Sequence, residues 1–288
     1  EQALVPKRST FRNSMYFDEI YHARTAWEFL NGHSAYENTH PPLGKSIISA
    51  GVALFGMNPF GWRIMGGLFG IAMVPVVYLF AKKLTQATAS AALACVLFTF
   101  DFMHFAQTRL ATIDVFITFF VILMYYLMYQ YSRISFYDTP LPKTFLPLGA
   151  CGICRGLGIA CKWTGVYAGA GLAVIFFRLL YRRYEEYRYA IKDPSGQTEG
   201  IPHSRVISSF LPCTVRTLLF CLVFFAAIPA LIYLLSYLPI HNQFQSGLLA
   251  RLLRNQETMF SYHSTLVDTH DYSSYWYQWP IMQRPIWY

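Results

Sequence analysis

Two adjacent carboxylates, Asp18 and Glu19, sit in the stretch Phe17-Asp18-Glu19-Ile20-Tyr21-His22-Ala23-Arg24, and Thr39-His40-Pro41-Pro42-Leu43-Gly44-Lys45 follows it. A carboxylate in such a setting can accept the proton of a weakly nucleophilic hydroxyl, and neighbouring histidines can bind or orient the same substrate. The plain structural alternative is a helix start, where negative charge is favoured by the helix dipole. Ile20, Ala23, Trp27 and Leu30 recur at helical spacing, so 18–30 reads as a short amphipathic helix on a membrane surface. Successive helical residues point about 100° apart, so Asp18 and Glu19 cannot both address one atom. If the pair is catalytic, one is a base and the other orients or contacts the substrate.

The elements that must position these residues are membrane spans. Of the 288 residues 55% are hydrophobic, 18% aromatic and only 13% charged, which excludes a water-soluble, disordered or fibrous protein. The formal charge of +8 does not make a nucleic-acid binder, because the basic residues cluster at the ends of apolar runs. Six stretches are long and apolar enough to suggest spans, at roughly 61–81, 87–106, 111–131, 145–161, 163–181 and 208–238. The fourth and fifth meet at Lys162-Trp163 and read as two helices that approach closely through their glycines. The expectation is therefore an all-α polytopic membrane protein with an outer loop over 1–60, a six-span bundle over 61–238 and an outer aromatic and His-rich loop over 239–288. Lys and Arg crowd the connections near 82–83, 133–143 and 182–205, which marks that side as cytoplasmic and leaves both long loops outside.

Charged residues near spans each need a reason. Arg63, Asp101, Arg109, Asp114 and Lys162 fall at span ends on the outer side, where they can snorkel, and Arg109 with Asp114 could be a helix-connecting ion pair. Arg155 falls within a span and faces a bundle cavity unless the boundary is wrong. The six cysteines lie in or beside apolar runs and read as small packing residues, and Cys151 with Cys154 lacks the further ligands of a zinc site. His22, His40, His263 and His270 match no metal spacing, so no metal or other cofactor is expected. The Tyr and Trp of 260–288 form either an interfacial belt or, with His263, His270, Trp276 and Trp279, a groove for acceptor or sugar.

These motifs, with Gly61-Trp62-Arg63, Gln107-Thr108-Arg109-Leu110-Ala111-Thr112-Ile113-Asp114, Lys162-Trp163-Thr164-Gly165, Tyr262-His263-Ser264-Thr265-Leu266 and Pro285-Ile286-Trp287-Tyr288, resemble those of the protein O-mannosyltransferases in the right order. The resemblance implies a C-type membrane glycosyltransferase fold and transfer of mannose from a polyprenyl-phosphate carrier to Ser or Thr hydroxyls of secreted proteins. It implies Asp18 as catalytic base with Glu19 its essential neighbour, and an important role for Arg63. The short loop after 208–238 resembles the bacterial form. A helix before the Asp-Glu loop and spans after 288 belong to the family pattern, so the chain reads as part of a longer enzyme.

A single displacement with inversion needs one base and no acid, because a phosphate leaves without protonation, unlike the alkoxide of glycoside hydrolysis. The phosphate needs cations, with Arg63 first and Lys162 and Arg109 in reserve. His22, His40, His263, His270 and Trp279 are the candidates for the acceptor or sugar groove. Expected partners are the lipid-linked donor, secreted acceptor proteins or peptides, membrane lipids and translocation machinery, at the outer face of the cell membrane. A related glycosyltransferase with another sugar or a lipid or glycan acceptor, a transporter, and a non-catalytic partner subunit are the competing readings.

Overall fold

A computed structural model describes residues 7–10, 12–241, 247–267 and 273–284. The described residues are almost wholly helical, with one two-stranded antiparallel hairpin, Gln197–Thr198 with Ile201–Pro202. Helices α1 (Glu19–Leu30) and α2 (Leu43–Phe55) come first, then α3 (Pro59–Thr85), α4 (Thr88–Thr99), α5 (Phe102–Gln107), α6 (Asp114–Ser132), α7 (Leu141–Cys161) and α8 (Thr164–Lys192). Helix α9 (His203–Leu222) runs through a π-helical turn, Val223–Ala227, into α10 (Ile228–Leu235), and α11 (Leu248–Thr265) follows. Among the described residues five helical runs are long and apolar enough to cross a membrane: α3, α6, α7, α8 and the continuous His203–Leu235. The chain is a multi-pass membrane protein.

The sequence stretch 87–106 is not the single span it suggests. Helix α4 ends at Thr99, and Asp101 starts α5 by accepting a hydrogen bond from the His104 N–H at 2.9 Å. An aspartate oxygen satisfies a helix N-terminus well, and that cap breaks a run that composition alone reads as continuous. Of the six stretches, five are therefore unbroken helices. Lys162, in extended conformation, does separate α7 from α8.

Helix α1 also differs from expectation. Its buried face carries Ala23, Ala26 and Phe29 together with Glu19, His22, Thr25 and Glu28, while Ile20 and Leu30 are exposed. Polar side chains turn inward here because the neighbouring loop supplies partners for them, described below. At the centre of the bundle, α7 is the most buried span, and its glycines set its distance from the last one. A Cβ on Gly152 would lie 2.2 Å from the Phe224 carbonyl oxygen, and one on Gly156 2.9 Å from Pro229 Cα. Small residues thus let α7 reach the π-helical turn, whose altered hydrogen bonding leaves the Phe225 carbonyl to accept from Arg155 Nη1 at 2.6 Å. Arg155 lies inside α7 and lines a cavity of about 260 Å³ with Met128, Phe176 and Leu218. Cys151 and Cys161 are buried packing residues of the same core, and all six cysteines are free.

Because overpacking a tight contact typically costs about 1–3 kcal/mol, Gly152→Ala should lower the thermal midpoint of the detergent-purified protein by several degrees. Gly67→Ala, whose Cβ would come no closer than 3.9 Å to Thr108 O, should leave it unchanged.

Candidate functional site

The site grows from the turn that leads into α1. Phe17 takes a left-handed backbone conformation, φ 54°, which is uncommon for a bulky residue. The two carboxylates that follow have opposite fates. Glu19 is fully buried and accepts from Arg63 Nε at 2.7 Å and the Ala111 N–H at 2.9 Å on Oε1, and from Arg63 Nη2 at 2.6 Å and the Tyr16 N–H at 2.8 Å on Oε2. Arg63 Nη2 also donates to Ser14 O at 3.1 Å. One carboxylate thereby ties the segment before α1, the first turn of α3 and the loop before α6.

Asp18 stands at the N-cap of α1 but makes no capping hydrogen bond, and no other partner is found for it among the described residues. Burial raises its pKa above the ordinary carboxylate value, with Asp114 adding to the rise, Lys162 opposing it and Glu37 adding further. Lys162 Nζ is 2.7 Å from Asp114 Oδ1. Asp114 therefore pairs with Lys162, where the sequence suggested Arg109, because the break between α7 and α8 delivers Lys162 to the N-terminus of α6. An unpaired, half-buried carboxylate with a raised pKa is suited to accept a proton near neutrality.

The loop between α1 and α2 builds the wall beside Asp18. Lys45 is buried and gives its three protons to Glu37 Oε2 at 2.5 Å, Glu37 O at 3.0 Å and His40 O at 3.0 Å. Glu37 Oε1 accepts from the Thr39 N–H at 2.8 Å and the Thr39 hydroxyl at 2.5 Å, and the Glu37 N–H donates to Thr25 Oγ1 at 3.0 Å. Burial pushes the Glu37 carboxyl up, but the Lys45 ammonium and these hydrogen bonds outweigh it and hold the pKa at about 2. The Thr39 carbonyl accepts from His40 Nδ1 at 2.7 Å and His263 Nε2 at 3.0 Å. The His40 ring stacks with those of His263, 5.5 Å away, and His22, 6.4 Å away, and Trp163 lies 6.3 Å from His263.

Helix α11 is seated on this wall. Asn255 Nδ2 donates to Asn38 O at 2.7 Å, Tyr237 OH donates to Asn255 Oδ1 at 2.9 Å, and Trp163 Nε1 donates to Tyr233 OH at 3.0 Å. Trp279 is exposed and donates within its own segment to Ser274 Oγ at 3.1 Å. His270 and residues 285–288 lie outside the described residues.

Arg63 and Arg109 come together on the Glu19 side of the turn. With Arg12, Tyr16, Phe60 and Ile64 they line a cavity of about 490 Å³, in which guanidinium groups meet apolar side chains. Arg109 also covers the Phe105 ring at 3.5 Å. The structure thus groups Asp18, His22, His40, His263 and Lys162, and places Arg63 and Arg109 together on the Glu19 side. Sequence reasoning missed Glu37 and Arg12 and gave Lys45 no role. For Glu37 the available signal was a carboxylate within a short polar link between two apolar helices, eight residues before a lysine at the start of the second. Among the described residues no group of three His, Cys, Asp or Glu side chains is placed to hold a metal ion.

Comparison with known proteins matches residues 56–243 to the family described as dolichyl-phosphate-mannose-protein mannosyltransferase. The chain is 32% identical to a polyprenol-phosphate-mannose–protein mannosyltransferase of Mycobacterium tuberculosis, over 68% of this chain and 44% of the relative. To the protein of the same name from Mycolicibacterium smegmatis it is 27% identical, over 94% of this chain and 58% of the relative. A dolichyl-phosphate-mannose–protein mannosyltransferase of Saccharomyces cerevisiae is 26% identical over 55% of this chain and 23% of its own length. The chain thus spans about half the length of the mycobacterial relatives. Arg63, Arg109, Asp114 and Lys162 fall inside the family match, and Asp18 and Glu19 precede it.

The two adjacent carboxylates should respond differently to substitution. Removing one member of a buried ion pair typically costs about 3–5 kcal/mol, so Glu19→Ala should lower the unfolding midpoint of the purified protein markedly. Asp18→Asn, which removes a half-buried charge that has no partner, should leave that midpoint unchanged or higher.

Proposed function

The chain belongs to the dolichyl-phosphate-mannose-protein mannosyltransferase family, and on that premise we propose that it carries the catalytic loop of an enzyme that moves mannose from a polyprenyl-phosphate carrier to Ser or Thr hydroxyls of proteins. The observation that supports this most is the freedom of Asp18. Of the two carboxylates at the start of α1, one is consumed by structure and the other is half-buried, unpaired and raised in pKa.

In the proposed reaction the Asp18 carboxylate accepts the proton of the acceptor hydroxyl as its oxygen attacks the anomeric carbon of the mannosyl phosphate. The bond from that carbon to the phosphate oxygen breaks as the new one forms, and the lipid phosphate leaves with the electron pair. Attack opposite the leaving group inverts the anomeric centre. The phosphate dianion needs no acid, which leaves Glu19 without a proton-transfer task. The cavity lined by Arg12, Arg63 and Arg109 suits the phosphate, because guanidinium groups stay charged and bind phosphate oxygens in a fork. Phe60, Ile64 and Leu110 in the same lining suit the first isoprene units of the carrier. Lys162 serves the reaction indirectly in this scheme: paired with Asp114, it stabilises ionised Asp18 against burial. His40, His263 and Trp163 form the wall along which an acceptor peptide would lie, facing the extracytoplasmic side, where a carrier phosphate sits at headgroup level and secreted proteins emerge.

The test uses membranes holding the full-length protein, supplied with polyprenyl-phosphate mannose and a Ser/Thr-rich peptide. General-base assistance is worth about 10²–10⁴-fold, so Asp18→Asn should lower kcat by at least about 10²-fold while the protein remains folded. Transfer undiminished in Asp18→Asn would remove Asp18 as base.

A further inference from the structure

His22 holds an unusual position. It follows Asp18 by one helical turn, with its N–H donating to Asp18 O at 3.1 Å, so both side chains project from one face of α1. The residue is 4% exposed, and Nδ1 is sealed from solvent with no hydrogen-bond partner. That nitrogen lies 3.8 Å from Glu37 Oε2, the oxygen that Lys45 also holds. A lone pair turned toward a carboxylate would be repelled, whereas an N–H turned toward it is attracted, so the proton of the neutral ring resides on Nδ1. Nε2 then carries the lone pair. It makes no hydrogen bond to the described residues and, unlike Nδ1, is not sealed off.

Burial, opposed by Glu37 and Asp114 and helped by Lys45 and His40, brings the imidazole pKa down to about 4. The ring thus stays neutral at working pH, and Nε2 remains an acceptor. An acceptor in a nearly closed wall one turn from Asp18 calls for a hydroxyl donor from the substrate. The attacking hydroxyl has only one proton, and in the proposed reaction that proton goes to Asp18. Among the hydroxyls that a mannosyl phosphate brings beside the reacting carbon are those of the transferred sugar.

We propose that His22 Nε2 accepts a hydrogen bond from a ring hydroxyl of the donor hexose, with the buried Lys45–Glu37 pair fixing the tautomer that makes this possible. His22 is then a specificity-determining residue, and Glu37 and Lys45 are positioning residues that act through it. This deepens the mannosyl-transfer reading and rests on it. A buried acceptor built for one hydroxyl discriminates against a sugar that lacks it, because the acceptor is then left unpaired.

The experiment measures kcat/KM of the full-length protein in membranes with polyprenyl-phosphate mannose and its 2-, 3-, 4- and 6-deoxy analogues. In the unsubstituted protein one analogue should be penalised through loss of the His22 hydrogen bond, and His22→Ala should shrink that one penalty about 10-fold and leave the others intact. His22→Gln, whose amide oxygen can replace Nε2, should restore part of it. The paired variant Glu37→Gln with Lys45→Met removes the charge without orphaning the ammonium, and should shrink the same penalty. Identical deoxy penalties in the unsubstituted protein and His22→Ala would overturn the assignment, as would a uniform fall in rate across all donors. Failure of the underlying reading would look different: no mannose transfer by the unsubstituted protein, or full transfer by Asp18→Asn.

Discussion

The fork between Arg63 and Glu19 is the interaction on which the rest depends. Burying two charges is costly unless geometry and hydrogen bonding are complete, and here the carboxylate is saturated by the guanidinium and two backbone N–H groups. The bond joins residues 44 positions apart, and the Ala111 contact extends it to a third segment. The same fork fixes the direction of a guanidinium that lines the large cavity. A single pair thus orients a cation that lines this cavity and leaves the adjacent aspartate without a side-chain hydrogen bond.

That division follows from helix geometry. Residues 18 and 19 point about 100° apart, so if one is committed to the protein interior the other need not be. Desolvation presses Asp18 to be neutral and Asp114 adds to that pressure, while Lys162, paired with Asp114, opposes it. A second buried pair, Lys45 with Glu37, stiffens the loop between α1 and α2. Through the Thr39 carbonyl that loop orders His40 and His263, and through Asn38 it seats α11. The wall is therefore assembled from residues far apart in the chain by backbone carbonyls that Lys45 and Glu37 hold still.

The helical membrane architecture was legible because a span leaves a long apolar run, and the Asp-Glu motif stood out because charge is rare in so apolar a chain. Other features left no such mark. The break at Asp101 was hidden because capping depends on one side-chain hydrogen bond, not on composition. The inward polar face of α1 could not be read from periodicity, since Glu19, His22, Thr25 and Glu28 are buried only where Arg63, Glu37 and their neighbours meet them. Pairing Asp114 with Lys162 instead of Arg109 required knowing how α6, α7 and α8 pack. Both Lys45 and Glu37 were visible as residues, but a buried pair across eight positions of loop has no periodic signature.

The central claim is that ionised Asp18, its pKa raised by Asp114 and lowered by Lys162, takes the acceptor proton. The direct measurement is the acidic limb of kcat/KM against pH for transfer by the full-length protein. A base works only when ionised, so activity falls as pH drops through its pKa, and the raised pKa of Asp18 places that fall above the ordinary aspartate range. Because Asp114 raises the Asp18 pKa and Lys162 lowers it, Asp114→Asn should move the limb to lower pH and Lys162→Met to higher pH. Limbs that coincide in all three proteins would contradict the assignment of Asp18 as the base.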